Sequence, residues 1–402
     1  MQQERLPRVA ITHGDTNAVG YEVIFKAFED PTMFELCTPI VYGASKVADY
    51  HAKVLGLEPQ FNIIRTADEA QEGRLNLLSV TDEEVKINLG EATPESGQVA
   101  LMAINRALDD YQHGAFDVLV TCPVNKNSIP GFNGHSAYIE QRLGSDQHGL
   151  TILLNEDLRV ALATNNVSLK DVAEVVTKQK IVEKATLLQQ ALRRDLRISN
   201  PRIAVLGLNP RCGEDGELGT EEQEVIIPAI AELAASGIQA FGPYAADDFF
   251  GSCAYYRFDA VLAMYHDQGQ TPFKALALEG GVRFTSGLSI VRTAPAHGTF
   301  FQLAGRNKTE ERSLRNAIYT AIDIFRNRIN FDEPLANPLP KLYHEKRDES
   351  EKVRFRAPGD NPRENSRENS RENPRENNRE NSRENAPRPK RGATEQPTTE
   401  AE

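Results

Sequence analysis

The sequence predicts an α/β protein built on a largely parallel sheet. Three observations carry that expectation. Short runs that are apolar throughout, rather than alternating, are what strands buried on both faces require. Stretches with apolar residues at helical spacing separate these runs. Polar, glycine-bearing segments follow nearly every run, where parallel sheets place their ligand-binding loops. With 402 residues, 40% of them hydrophobic, the chain has enough apolar material for one large domain or two ordinary ones.

In chain order the strand runs are RVAIT (8–12), PIVYG (39–43), FDVLVTCPV (116–124), LTILL (150–154), RVALAT (159–164), RIAVLGL (202–208) and DAVLAMY (259–265). Each is rich in β-branched or aliphatic residues. The helices between them include SGQVALMAINRALDDYQ, KIVEKATLLQQALRRDL and TEEQEVIIPAIAELAASG. The third opens with Thr220, carries Gln223 at the spacing of a capping box, and stops at Gly237. A last helix, Glu311 to Arg328, closes the body.

The composition divides the chain into a body, residues 1–341, and a tail, residues 342–402. From Glu345 onward 14 basic residues balance 14 acidic ones, and only Val353, Phe355 and four alanines are apolar. An N-x-R-E repeat runs from Asn361 to Glu384, interrupted by Pro362 and Pro374. Such a stretch cannot offset its ordering entropy by burial, so it reads as a solvated, disordered extension. The net charge of −12 therefore belongs to the body. An acidic body argues against nucleic acid as a partner, since phosphate contact wants a basic surface. No apolar run approaches the ~18 residues of a membrane helix, and the N-terminal stretch has no secretory apolar segment. Cys37, Cys122, Cys212 and Cys253 lie far apart, as reduced packing thiols do. Arg211 beside Cys212 is expected to lower that one thiol's pKa. The expectation is a soluble cytoplasmic protein with neither nucleic-acid nor membrane partner.

Five segments at strand ends are expected to converge on one site. They are THGDTNAVG (12–20); Pro123, Asn125 and Lys126 with GFNGHSAYIEQR (131–142); Asn165 and Asn166; NPRCGEDGELGTEEQ (209–223); and His266-Asp267-Gln268-Gly269. The loop from Gly14 to Gly20 reads equally as an anion cradle at a helix start or as a tight turn. Asp15, Glu214 and Asp215 read as solvated loop carboxylates. His266, at a strand's carboxyl end beside Asp267, is the best single site candidate.

Several of these motifs, in register from about Arg8 to Arg328, carry a resemblance. AMYHDQG (263–269), GLNP…GTEE (207–222), Gly134-His135, and RTAPAHGT (292–299) followed by LAG (303–305) resemble the 4-hydroxythreonine-4-phosphate dehydrogenase family of pyridoxal phosphate biosynthesis. The resemblance implies a homodimeric α/β/α enzyme of two interleaved lobes with a cleft between them, related to isocitrate and isopropylmalate dehydrogenases. It implies NAD-dependent oxidation and decarboxylation of 4-phosphohydroxy-L-threonine to 3-amino-2-oxopropyl phosphate. It further implies a divalent metal that polarises the alcohol and stabilises the enolate left by decarboxylation.

The family's three metal-ligand histidines fall here on Asn166, Arg211 and His266, of which only the last is histidine. A carboxamide is a poor ligand for a zinc-like ion, and a guanidinium stays protonated and cannot ligate. Other family positions are kept. His135, Ser136 (where threonine is usual), Lys274 and Arg292 are implied to hold the phosphorylated substrate. His266, Lys274 and Asp247 are implied at the reacting end, and His297, Gly298 and Thr299 at the NAD. Arg283 stands where the family has Asn, and with Arg211 it is expected to bring positive charge to the pocket. The opening loop also departs from the family's proline-containing form. Two further functions stay open on these residues: a catalytically weakened paralogue that binds a phosphorylated metabolite, and a dehydrogenase for another phosphorylated hydroxy acid.

Overall fold

The computed structural model describes residues 5–144, 149–278 and 280–338; the tail, with its repeat, lies outside them. Twelve strands form one sheet: β1 (Arg8–Thr12), β2 (Thr38–Gly43), β3 (Phe61–Ile64), β4 (Leu75–Ser79), β5 (Val118–Thr121), β6 (Leu150–Leu154), β7 (Arg159–Leu162), β8 (Arg202–Leu206), β9 (Gln239–Tyr244), β10 (Ala260–Ala263), β11 (Val282–Ser286) and β12 (Val291–Pro295). Their order is β3-β4-β2-β1-β5-β12-β11-β6-β7-β10-β8-β9. The pairs are parallel except β12·β11, β11·β6 and β6·β7, which are antiparallel and sit together in the middle. The expected α/β class and largely parallel sheet are therefore present, with an antiparallel centre that the apolar runs did not announce.

The two faces of the sheet are covered differently. One face carries a continuous core, in which Ile11, Val120, Ile152, Val205 and Leu262 pack under helices Gly20–Ala27, Ser45–Leu55, Lys178–Arg194, Ile227–Ala235 and Arg312–Ala336. The other face carries two separate cores. Ala10, Ile40 and Leu119 pack under helices Pro94–Gln112 and His135–Leu143. Leu153, Leu162 and Leu206 pack under helices Ala246–Gly251 and His266–Ala277. Paired residues of adjacent strands point to the same side. Arg292 is in register with Leu119, and Arg283 with Leu153, so both arginines emerge on the divided face, between its two cores.

Local differences from the sequence reading have local causes. Thr220 does not cap its helix: the chain enters through a π-helical turn, Glu222–Ile226, and no side chain bonds the first N–H groups. Glu222 is buried instead and accepts from the backbone N–H of Leu208 and of Asn209, each at 2.7 Å. That carboxylate uses the helix start to fix the strand-end loop. The last helix continues past Arg328 to Ala336. Arg328 is itself buried against Asp195, Nε to Oδ1 at 2.7 Å, which ties the helix down and lets it run on. Among the described residues no helix is long and apolar enough to cross a membrane.

Candidate functional site

Between the two cores of the divided face lies a cleft of about 460 Å³. Its floor is the sheet itself: Thr121 of β5, Arg292 of β12, Arg283 of β11 and Thr151 of β6. Its walls are strand-end residues, Pro123, Val124 and Lys126 after β5, Asn165 and Asn166 after β7, His266 after β10 and His297 after β12. The start of helix His135–Leu143, Gln270 and Lys274 of helix His266–Ala277, and Glu140, whose Oε1 accepts from Gly149 N–H at 2.9 Å, line it as well.

A hydrogen-bond chain sets the floor. Arg292 Nε donates to Thr121 Oγ1 at 3.1 Å and Nη1 to Thr285 Oγ1 at 3.1 Å, while Ser136 Oγ meets the same Thr285 hydroxyl at 3.0 Å. These acceptors are neutral, so the Arg292 charge, only 3% exposed, is oriented without being neutralised. Arg283 Nη2 donates to Gln270 Oε1 at 3.3 Å, again a neutral acceptor. Burial, with Arg283 adding repulsion, pushes Arg292 down to about 9, and burial lowers Arg283 as well. His135 is lowered well below an ordinary histidine by burial, then by Arg292, Arg283 and Lys126. Its Nε2 is buried without a partner. Cations gathered around a neutral imidazole at a helix N-terminus make a site for an anion, because the helix end favours negative charge too.

His266 begins helix His266–Ala277, and its Nδ1 lies 2.6 Å from Asp267 Oδ1. Lys126 Nζ donates to Asn166 Oδ1 at 3.5 Å. A second cavity of about 360 Å³ adjoins the cleft, sharing Lys274 and His297 with it and continuing along Gly298, Phe300, Leu303 and Lys308. There His297 stacks on Phe300, ring centroids 5.3 Å apart, and its Nε2 is buried and unpartnered.

Of the residues expected at the site, His135, Ser136, Lys274, Arg283, Arg292, His266 and Asn166 line the cleft, and His297 and Gly298 line the second cavity. Three expectations differ. Arg211 stands in a loop of left-handed backbone (φ 51°) and pairs outward with Glu214 at 2.7 Å, its side chain 64% exposed. Asp247 is exposed in the first turn of helix Ala246–Gly251 and lines neither cavity. Thr299 lines neither cavity; its carbonyl accepts from Val19 N–H at 3.4 Å.

The strand-end segments likewise converge only in part, since those after β1 and β8 line neither cavity. The first is a tight turn rather than an anion cradle. Asp15 N–H bonds Pro123 O at 3.1 Å, Asn17 N–H bonds Asp15 Oδ1 at 3.0 Å, and Asp15 is buried, not solvated. A Cβ on Gly20 would stand 1.8 Å from His13 O, so this packing needs glycine. Cys212 is raised, not lowered, by burial and then by Glu222, because Arg211 turns away from it. Cys253 is exposed rather than packed. The sequence reading missed Thr121, Thr151 and Gln270, and it gave Lys126 no role.

A protein-family model, "Pyridoxal phosphate biosynthetic protein PdxA", matches residues 35–321. A 4-hydroxythreonine-4-phosphate dehydrogenase of Bacteroides thetaiotaomicron is 51% identical over 357 residues, 88% of this chain and 98% of that protein. The chain belongs to the PdxA family. A 4-hydroxythreonine-4-phosphate dehydrogenase of Prosthecochloris aestuarii is 36% identical over 80% of this chain and 98% of its own. The crystal structure of the enzyme from Burkholderia phymatum, 32% identical, superposes with a TM-score of 0.64 over 80% of this chain and 99% of that one.

The metal that the PdxA family resemblance implies finds a poor donor set in this chain. His266 is present in the cleft, but the Asn166 oxygen already faces an ammonium, and Arg211 is a cation directed elsewhere. Among the described residues no group of three or more His, Cys, Asp or Glu is placed to hold a metal ion.

Proposed function

We propose that this chain oxidises 4-phosphohydroxy-L-threonine with NAD and decarboxylates the product to 3-amino-2-oxopropyl phosphate. The observation that supports it most is the pair of guanidiniums, Arg283 and Arg292, held by neutral acceptors on the cleft floor. A phosphate is a ligand whose charge such a floor complements. The N-terminus of helix His135–Leu143, with His135 and Ser136, faces the same space and adds donors to it. The orphaned Nε2 of His135 gains a partner when a phosphate oxygen arrives.

NAD suits the second cavity, where the stacked His297–Phe300 pair and the backbone of Gly298 offer an apolar wall beside a buried, unpartnered nitrogen. When bound there it supplies the hydride acceptor. Lys274, shared by both cavities, stands where cofactor and substrate meet. The two cores flanking the cleft support a reading of the body as two lobes, and family membership supports a homodimer and a cytoplasmic setting.

Formation of NADH, followed at 340 nm with purified protein and 4-phosphohydroxy-L-threonine, tests the function. Absorbance growth that requires the phosphate group on the substrate is the expected result. Absence of NADH while the substrate still raises the melting temperature would favour the weakened, binding-only reading. NADH from a different phosphorylated hydroxy acid alone would favour a redirected dehydrogenase.

A further inference from the structure

We propose that Lys126 is a catalytic residue that supplies, in this chain, the positive charge a divalent metal would bring to the reacting oxygen. The inference rests on the dehydrogenase function proposed above. Its ground is the position of the ammonium. Lys126 Nζ stands 3.5 Å from Asn166 Oδ1, a long contact between exposed side chains at a family metal-ligand position, and both residues line the cleft with His266. The acceptor is a neutral amide, so the charge remains available to a ligand.

The turn that carries Lys126 is fixed. Asn125 Oδ1 accepts from Asn127 N–H at 2.9 Å, setting the turn Lys126–Ser128 immediately after β5. Gly134 makes room for the side chain. Its backbone is left-handed (φ 104°), and a Cβ there would stand 3.0 Å from Lys126 Cε and 3.4 Å from Nζ. The lysine stem therefore lies across the start of helix His135–Leu143. A cation at a helix N-terminus, near two unneutralised guanidiniums, is electrostatically unfavourable until an anion enters. The arrangement is thus suited to negative charge that develops at the reacting oxygen, while Arg283 and Arg292 hold the charge that the substrate brings. Arg211, the other cation expected to replace the metal, points away to Glu214.

The chemistry balances without a metal. Hydride leaves the substrate's secondary alcohol carbon for NAD, and the hydroxyl proton passes to water, giving the β-keto acid. The bond to the carboxylate carbon then breaks and carbon dioxide departs. Its electron pair moves to the ketone oxygen as an enolate. The Lys126 ammonium stabilises that oxygen and gives it a proton; the enol then takes a proton from water at carbon and returns its O–H proton to the Lys126 amine, giving the ketone. Asn166 acts as a positioning residue that aims the ammonium.

The experiment uses the full chain and reads three quantities: zinc content by mass spectrometry, the kinetics of NADH formation with and without chelator, and the substrate-induced shift in melting temperature. Zinc well below one per chain and turnover indifferent to chelator are expected. Lys126→Met is expected to lose about 10²–10³ in kcat, the scale of a lost oxyanion donor, while keeping the melting shift. Lys126→Arg is expected to recover part of the loss. Turnover that chelator abolishes and zinc restores would overturn the role of Lys126 while leaving the dehydrogenase function standing. A rise in KM with unchanged kcat in Lys126→Met would do the same, by making Lys126 a binding group only. A wild-type chain that forms no NADH would overturn the function, and with it this role.

Discussion

Replacing His13 by Phe should flatten part of the dependence of stability on pH. His13 is fully buried, stacked on Tyr21 with ring centroids 5.1 Å apart, and neither of its ring nitrogens has a partner. Burial, with His51 nearby, pulls its pKa down to about 3. In the unfolded chain the imidazole titrates near 6.5, the ordinary value. Between those limits the unfolded state binds a proton that the folded state refuses. Stability is therefore complete above pH ~6.5 and falls as the pH falls toward 3. The slope approaches about 1.4 kcal/mol per pH unit for one such group, or about 2.3 kcal/mol in all between pH ~6.5, where the unfolded imidazole is half protonated, and pH ~4.5. Phenylalanine keeps a stacking ring, forfeits no hydrogen bond, and does not titrate. The chain has no Trp, so urea unfolding is best followed by far-ultraviolet circular dichroism. The difference in unfolding free energy between wild type and His13→Phe cancels the carboxylate contributions common to both. It should grow by about 2.3 kcal/mol in the variant's favour over those two pH units. Parallel curves for the two proteins would refute a neutral buried imidazole at this position.

Two further substitutions probe the cleft and the scaffold. Arg292→Met removes a buried cation that has only neutral partners, so calorimetry should find the unliganded protein no less stable than wild type. The same variant should lose the melting shift that inorganic phosphate or substrate gives the wild type. Arg328→Met strands the Asp195 carboxylate, 4% exposed, and abandons the carbonyls of Leu288 and Ser289. Denaturant unfolding should show a loss of about 3–5 kcal/mol, partly restored by adding Asp195→Leu, which removes the stranded charge.

The strands that could be read from the sequence are those whose residues are apolar on both sides, such as LTILL at β6, observed at 150–154 as expected. The strands that escaped carry polar residues with structural or functional work. In β4, Asn76 is buried and its amide serves Pro39 O, Gln71 O and Arg74 O, so the apolar run is broken where the sheet needs a donor. In β11 and β12 the sequences VRFTS and VRTAP carry the cleft-floor arginines and buried threonines, Thr285 accepting from Arg292 and Thr293 donating to Ala317 O on the other face, which makes buried central strands resemble polar loops. Arg283 and Arg292, singled out by motif, stand on strands at the cleft floor. The side chain of Arg211 is directed to Glu214 by a run of left-handed residues, an orientation that no single-residue match can foresee. Lys126 gave no signal of its own. A lysine in a loop is ordinarily solvated, and only the fold shows that it meets Asn166 across 40 positions.

The unequal cover of the sheet has a mechanical meaning. Among the described residues the cleft side carries two separate apolar cores, while on the reverse side one core runs without interruption. The walls of the cleft are thus joined by a plate of hydrogen-bonded strands backed by close-packed side chains, not by a pliant linker. Any approach of the walls has to flex β12, β11 and β6, the antiparallel strands that bear the arginines or stand beside them. Whatever stiffens those strands, the phosphate proposed to sit between Arg292 and the helix start included, also stiffens the molecule's opening. Grip on the ligand and the freedom of the cleft to gape are in this way one and the same elastic property.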